Sequence, residues 1–247
     1  RASTWYADHG RPVPAIDHAL EAKDYPRAIQ LLSGHAEVLL AQGRMLLLKR
    51  WLESIPAQFL RNSPWLLVVQ AWALCFTCGP RDALTVLEES GCESVQDDMV
   101  QAHILALRPY MLAMMDQYHE AYRVGSEALK QMPTTHPFAE TALANVMAFV
   151  GCILGQHQES QRLLDEPRRW QGKSHDESPF NRMYRESIEG LIDIEHARLR
   201  QATARFRMAV NATHTESYSQ AHGNAFAGVY YAACLYEAGE QNQASRL

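Results

Sequence analysis

The stretch GPRDALTVL at residues 79–87 follows the apolar run ALCFTC at residues 73–78, and together they admit two readings. Cys75 and Cys78 form a Cys-x-x-Cys pair of the kind that carries redox or metal chemistry. Gly79 and Pro80 equally form a breaker between two helical patterns, with Ala83 one turn into the second. Recurrence decides between them. DYPRAIQLL (24–32), DQYHEAYRV (116–124), GQHQESQRLL (155–164), LRQATARF (199–206) and GEQNQASRL (239–247) each place a small residue near the start of a second helix. Ala83, Ala121, Ser160, Ala202 and Ala244 are spaced by 38, 39, 42 and 42 residues. A period near forty, with one helix pair per unit, is the mark of an α-solenoid. The small residue suits the crossing of two helices whose axes lie about 8–10 Å apart.

The rest of the chain agrees with an all-α fold. Leu66, Val69, Ala73 and Phe76 fall on one helical stripe, and strand-type alternation is nearly absent. Breakers at Gly10, Gly43, Pro56, Pro133, Pro137, Gly155, Pro167, Gly172, Pro179 and Gly239 separate helix-length pieces. Asp24 is predicted as an N-cap with Pro26 in the first turn, and Pro56 is predicted to end the helix that carries Leu48 and Trp51. Pro109 lies inside a helical stretch and is predicted to kink it.

The chain has 247 residues, 47% hydrophobic and 21% charged, enough apolar material for a substantial core. No Gly/Ser or Pro-rich linker divides it, so the prediction is an N-terminal helical segment at 1–56 leading into one continuous repeat array at 57–247. A formal charge of −5 argues against a broad phosphate-binding surface, so direct nucleic-acid contact is not expected. Neither a signal peptide nor a membrane span is read, and five cysteines at low density fit a reducing cytoplasm. Opening on Arg1 and closing at Leu247 within a helical pattern, the chain is expected to be a fragment of a longer protein.

Two resemblances sharpen this reading. Gly190, Leu199, Ala202, Phe206 and Ala209, and again Ala121, Ala128 and Pro133, stand where tetratricopeptide repeats place their packing residues. The usual tetratricopeptide period is shorter, which implies longer helices or loops such as PTTHP (133–137) and RRWQGKSHDES (168–178). WYADHG (5–10), AIDHALEAKDYPRAIQLL (15–32), HAEVLLAQG (35–43) and LLKRWLESIP (47–56) resemble the start of the helical-repeat region of the large ATP-binding LuxR-family regulators, the group typified by the maltose regulon activator. That resemblance implies an upstream ATP-binding domain, a downstream helix-turn-helix domain, and repeats that act as sensor or docking platform. ATP is expected on the upstream domain and no cofactor on this segment. The implied partners are a small-molecule effector or a regulatory protein, with self-association. A stand-alone repeat scaffold is the alternative.

No enzyme is predicted. A zinc site needs a second ligand pair beside Cys75 and Cys78, and a redox pair needs a βαβ setting, so both thiols read as packing residues at a helix end. Glu189, Asp193 and His196 share a helix face at i, i+4 and i+7, but lack ligands from other helices and read as a polar face balanced by Arg185, Arg198 and Arg200. Ser174, His175 and Asp176 are adjacent in a loop and form no relay by adjacency alone. The tract at Arg168, Arg169 and Trp170 is a weak nucleic-acid signal. No phosphate-binding, dinucleotide or nucleophile-elbow glycine motif occurs.

What remains is the face of the first helices, which lines the groove in tetratricopeptide-like arrays. Trp65, Trp72, Phe76, His103, Tyr110, Asn145 and Phe149 are the candidate binding residues, with Val68, Phe226 and Tyr236 on the same face. An apolar wall with a few placed polar groups suits a ligand, and an aromatic stripe at helical spacing equally suits a core. The peptide-carboxylate clamp known in some tetratricopeptide domains finds only Asn145 at a matching position, which favours a small molecule or a protein surface.

Overall fold

The computed structural model describes residues 1–132, 135–170, 178–211 and 224–247, with the side chains of 166–170 and Asn224 excepted. Every regular element among them is helical, so the chain is all-α as expected. It divides into two compact units, one of Arg1–Leu40 with Arg44–Ile104, the other of Ala41–Gly43 with Leu105–Leu247. The boundary expected at residue 56 falls inside the first unit. The loops PTTHP and RRWQGKSHDES, with Gly172, Ser174, His175 and Asp176, lie partly or wholly outside the described residues, as do the side chains of Pro167, Arg168, Arg169 and Trp170.

In chain order the helices are α1 (Ala2–Asp8), α2 (Pro12–Glu21), α3 (Tyr25–Ala41), α4 (Met45–Ser54), α5 (Ala57–Leu60), α6 (Pro64–Thr77) and α7 (Pro80–Ser90). After a short 3-10 turn at Cys92–Ser94 come α8 (Asp98–Met114), α9 (Tyr118–Gln131), α10 (Pro137–Ile153) and α11 (His157–Trp170). Last are α12 (Pro179–Glu195), α13 (Leu199–Asn211), α14 (Asn224–Glu237) and α15 (Gln241–Ala244). No described helix is long and apolar enough to cross a membrane.

The repeat seen in the sequence is a repeat of one joint. In α7, α9, α11 and α13 the fourth residue is Ala83, Ala121, Ser160 or Ala202, and each is fully buried. Ala28 occupies the same place in α3 and is also fully buried. Two residues before α3, α9, α11, α13 and α15 stands a left-handed residue: Lys23, Asp116, Gly155, Ala197 or Gly239, with φ between 56° and 80°. The next N–H then donates to the carbonyl five residues back. Asp24 N bonds Ala19 O at 2.9 Å, Gln117 N bonds Leu112 O at 3.0 Å, and Arg198 N bonds Asp193 O at 2.8 Å. This six-to-one bond ends one helix, satisfies a carbonyl that the helix leaves orphaned, and aims the chain back along it.

Local predictions are met at several ends. Asp24 caps α3, its carboxylate accepting from Arg27 N at 3.2 Å, with Pro26 in the first turn where its missing N–H is no loss. Ile55 and Pro56 close α4. Gly79, at φ 130°, turns the chain from α6 into α7, and Pro80 opens the new helix. Pro109 lies inside α8, which runs from Asp98 to Met114.

Within the first unit α1 packs on α2, α2 on α4, α4 on α6, and α6 on α7. Trp51 in α4 donates its indole N–H to Asp17 in α2 at 2.7 Å, so this large buried ring has its polar atom satisfied. In the second unit α10 packs on α9, α11 and α12, while α12 packs on α13 and α14. First helices thus touch both their own second helix and the next first helix. Gly190 in α12 permits one such approach: a Cβ there would lie 2.8 Å from Phe206 Cζ of α13.

Two substitutions test the joint. Ala197→Gly relieves a left-handed conformation that costs an L-residue about 1–2 kcal/mol, and is expected to raise the melting temperature by about 2–4 °C. Gly190→Ala forces the Phe206 ring aside and is expected to lower stability by about 1–3 kcal/mol in a denaturant titration. Were both neutral, the joint would not be the element that holds the pairs together.

Candidate functional site

The seven residues predicted for the groove fall into separate groups. Trp65, Trp72, Phe76 and His103 lie in the first unit. His103 of α8 is fully buried, with its ring centroid 4.6 Å from Trp65 and 6.1 Å from Trp72, both edge-on. Its Nε2 lies 3.7 Å from a carboxylate oxygen of Glu37 in α3. Trp72 is itself fully buried and stacks on Phe76 at 5.9 Å, whereas Trp65 and Phe76 are half-buried. Three helices, α3, α6 and α8, therefore meet on one histidine. The Trp65 indole N–H is buried without a hydrogen-bond partner among the described residues.

Tyr110, Asn145 and Phe149 lie in the second unit and do not form one cluster. Asn145 is buried in α10 and donates to the backbone carbonyl of Asn181 in α12 at 3.0 Å. Asn181 answers by donating to the carbonyl of Phe138 at 3.1 Å. This reciprocal pair fixes the register of α10 on α12, because a one-turn slip would strand buried amides. Tyr110, also buried, packs edge-on against Tyr184 of α12 at 5.8 Å.

Phe149 stands in a different setting. Its ring is 6.3 Å from Tyr118 of α9 at 71°, and 5.5 Å from Phe226 of α14 at 85°. Phe226 in turn is 5.3 Å from Tyr230 at 73° and 5.9 Å from Tyr184 at 26°. All five rings are half-buried. Three of these pairs meet edge to face, while Phe226 also stacks on Tyr184, and Tyr230 stacks on Phe206 at 5.6 Å and 17°. The Tyr118 hydroxyl donates to Asp116 at 2.8 Å, and it is held protonated above its ordinary range by burial first, then by Asp116 and by the Tyr230 hydroxyl. This half-buried cluster of rings from α9, α10, α12 and α14, with the Asp116 carboxylate beside Tyr118, is the candidate recognition surface of the second unit. Sequence reasoning named Phe149 and Phe226 but missed Tyr118, Tyr184 and Tyr230, since no periodic signal links α9 to α14.

The polar face of α12 forms a clamp. Arg205 of α13 reaches across to Glu186 at 3.0 Å, to Asp193 at 2.9 Å, and also pairs with Glu189. Arg198 holds the other oxygen of Asp193 at 2.7 Å, and Arg185 lies 4.0 Å from Glu186. Arg198 and Arg185 act as the balancing cations read from the sequence, while Arg205 was overlooked. His196 turns away and bonds the carbonyl of Ile192 at 2.7 Å through Nδ1. Among the described residues no group of three His, Cys, Asp or Glu side chains is placed to hold a metal ion.

Cys75 is buried and Cys78 exposed at the end of α6, and neither is in a disulfide. Burial pushes the Cys75 thiol up to about 12, so it stays protonated and unreactive at neutral pH.

With this geometry in view, the chain's relatives can be compared. It is 26% identical over 255 aligned residues, taking in all of this chain, to the serine/threonine-protein kinase PknK of Mycobacterium tuberculosis and of Mycobacterium bovis, covering 22% of that protein. It is 28% identical over 160 residues to the HTH-type transcriptional regulator MalT of Yersinia pestis, covering 63% of this chain and 18% of that protein. The chain thus spans about a fifth of the length of the curated relatives it matches. No family model and no solved structure matches it. A MalT-like relationship is supported.

Two experiments probe these contacts. Arg205→Met leaves three buried carboxylates with fewer partners, and an equilibrium unfolding curve is expected to show a loss of about 3 kcal/mol. A thiol reagent at pH 8 is expected to modify Cys78 rapidly and Cys75 only on unfolding, as peptide mapping would show. Equal rates at the two thiols would contradict the burial of Cys75.

Proposed function

We propose that this chain is the helical-repeat sensor segment of a MalT-like, ATP-dependent transcriptional regulator in the cytoplasm, with its helix pairs arranged as a solenoid. It binds a small effector or a regulatory protein on the face of its first helices and couples that binding to self-association. The observation that carries the proposal is the similarity to a transcriptional regulator, MalT, along 63% of the chain. A second similarity supports the kind of role. A segment matched in both a protein kinase and a transcriptional regulator fits a module for sensing or docking better than one for either chemistry. The chain itself is proposed to be no enzyme and to hold no cofactor, ATP belonging to an upstream domain. DNA contact is assigned to a downstream domain, consistent with the charge of −5 on this segment.

The half-buried rings of the second unit suit recognition, because an apolar wall with a few placed hydroxyl and carboxylate groups gives both affinity and orientation. The Trp65, Trp72 and His103 group suits it less directly, since two of its three rings are fully buried.

The reading frame that encodes this chain supplies the test. A phosphate-binding loop encoded upstream and a helix-turn-helix downstream are expected. A frame with neither would sink the regulator reading and leave the stand-alone scaffold.

A further inference from the structure

We propose that the exposed face of α14 docks a second copy of this chain, antiparallel, about a two-fold axis that passes between Tyr230 and Tyr231. Residues 42 apart are equivalent in the pairs that start with α10, α12 and α14, because Ser160, Ala202 and Ala244 keep that spacing. Thr141 and Asn145 of α10 thus correspond to Met183 and Ser187 of α12, and to Ala225 and Val229 of α14. The four residues of α10 and α12 are buried, and they face the next first helix: Asn145 donates to Asn181 of α12, and Met183 packs on Ala227 of α14. In α14 the same positions are open. Ala225 is exposed, and Val229, at 68%, and Tyr236, at 62%, are the most exposed large hydrophobic residues among those described. A face that takes a helix in two pairs is therefore presented, apolar and uncovered, by the third.

Side-chain size and charge along this face select a second copy as its occupant. Ala225, Val229, Ala232 and Tyr236 follow one another at helical spacing and share one side of α14. The antiparallel two-fold sets Val229 over the partner's Ala232 and Tyr236 over the partner's Ala225, so that each large side chain meets a small one. A groove of about 530 Å³ between α14 and α15, lined by Ala232, Ala233 and Tyr236 with Gln241 and Ala244, lies where the partner's Val229 enters. Glu237 is the only charged residue of α14, and the antiparallel sense keeps its two copies about 20 Å apart along the helices. A parallel pairing would bring the two carboxylates together. A further first helix of the array fits less well. Where α10 and α12 carry the polar Asn145 and Ser187, α14 presents the β-branched Val229, so the amide that locks α10 on α12 has no counterpart here.

The proposal rests on the self-association put forward above and names its surface, and the two fail separately: a dimer that ignores changes on α14 keeps self-association and removes this surface. Sedimentation equilibrium of the whole protein, from micromolar to near-millimolar concentration, is expected to show a reversible dimer. Val229→Asp is expected to raise its dissociation constant at least about tenfold, since two buried valines are lost per dimer. Tyr236→Ala is expected to weaken it in the same direction, and keeps the test alive should Val229→Asp fail to fold, as circular dichroism would show. Geometry is read by a cross-link. With the exposed thiol removed by Cys78→Ser, Val229→Cys and Ala232→Cys in one chain are expected to join two chains on mild oxidation, because the antiparallel two-fold sets each against the other. A protein that stays monomeric throughout, as it would if another helix of the same polypeptide covered α14, overturns the inference. So does a dimer unchanged in both folded variants, or one that the cysteine pair fails to link.

Discussion

The structure depends on the close approach of two helices at the fourth residue of the second. Ala28, Ala83, Ala121, Ser160 and Ala202 all stand at that place, and none has measurable exposure. A left-handed residue and a six-to-one hydrogen bond precede most of these helices and set the angle at which the second helix returns. The small side chain then allows contact along the whole face. Neither device suffices alone: a tight turn leading to a bulky residue would splay the pair, and a small residue after a loose turn would have no fixed partner. At Lys23, Asp116 and Ala197 the joint is kept although the residue is not glycine, which places the constraint in the backbone geometry and not in the side chain.

How far the sequence was legible follows from how local each feature is. The small residues recur at a fixed offset from a breaker, so their period exposed the helix pairs. The cap at Asp24 and the stop at Pro56 are written within four residues. The burial of Cys75 was legible in the apolar run around it, whereas Cys78, also read as a packing residue, lies at the helix end and is exposed. By contrast Arg205 meets Glu186 across an intervening joint, and Tyr118 of α9 is linked to Tyr230 of α14 through Phe149 of α10 and Phe226. Such meetings depend on how successive pairs stack, which no periodicity encodes. The groove candidates stand in different surroundings for the same reason. A shared helical face places residues on one side of each helix, but burial depends on what the next helix brings against it. Hence Trp72 and Asn145 are interior, while Phe149 remains half-buried.

The polar interior does a different job from the small residues. Hydrophobic contact between helices tolerates sliding by a turn, because leucine and alanine accept many neighbours. The amides of Asn145 and Asn181 do not, since each needs one particular carbonyl. Arg205 acts likewise between α12 and α13, where a slip would carry it away from Glu189 and Asp193, at 3% and 7% exposure. These groups contribute little net stability relative to well-packed apolar residues, and what they add is a single register. Register is what a repeat array most lacks, because every unit resembles its neighbours.

A fixed register has a consequence for recognition. The ring cluster draws on α9, α10, α12 and α14, so a one-turn shift of any of these helices, about 5.4 Å, would break its contacts. The amides that lock α10 on α12 therefore also keep Phe149 of α10 in register with Tyr184 of α12, the two rings that Phe226 of α14 packs against. A surface built from several helices keeps its shape only while that register holds.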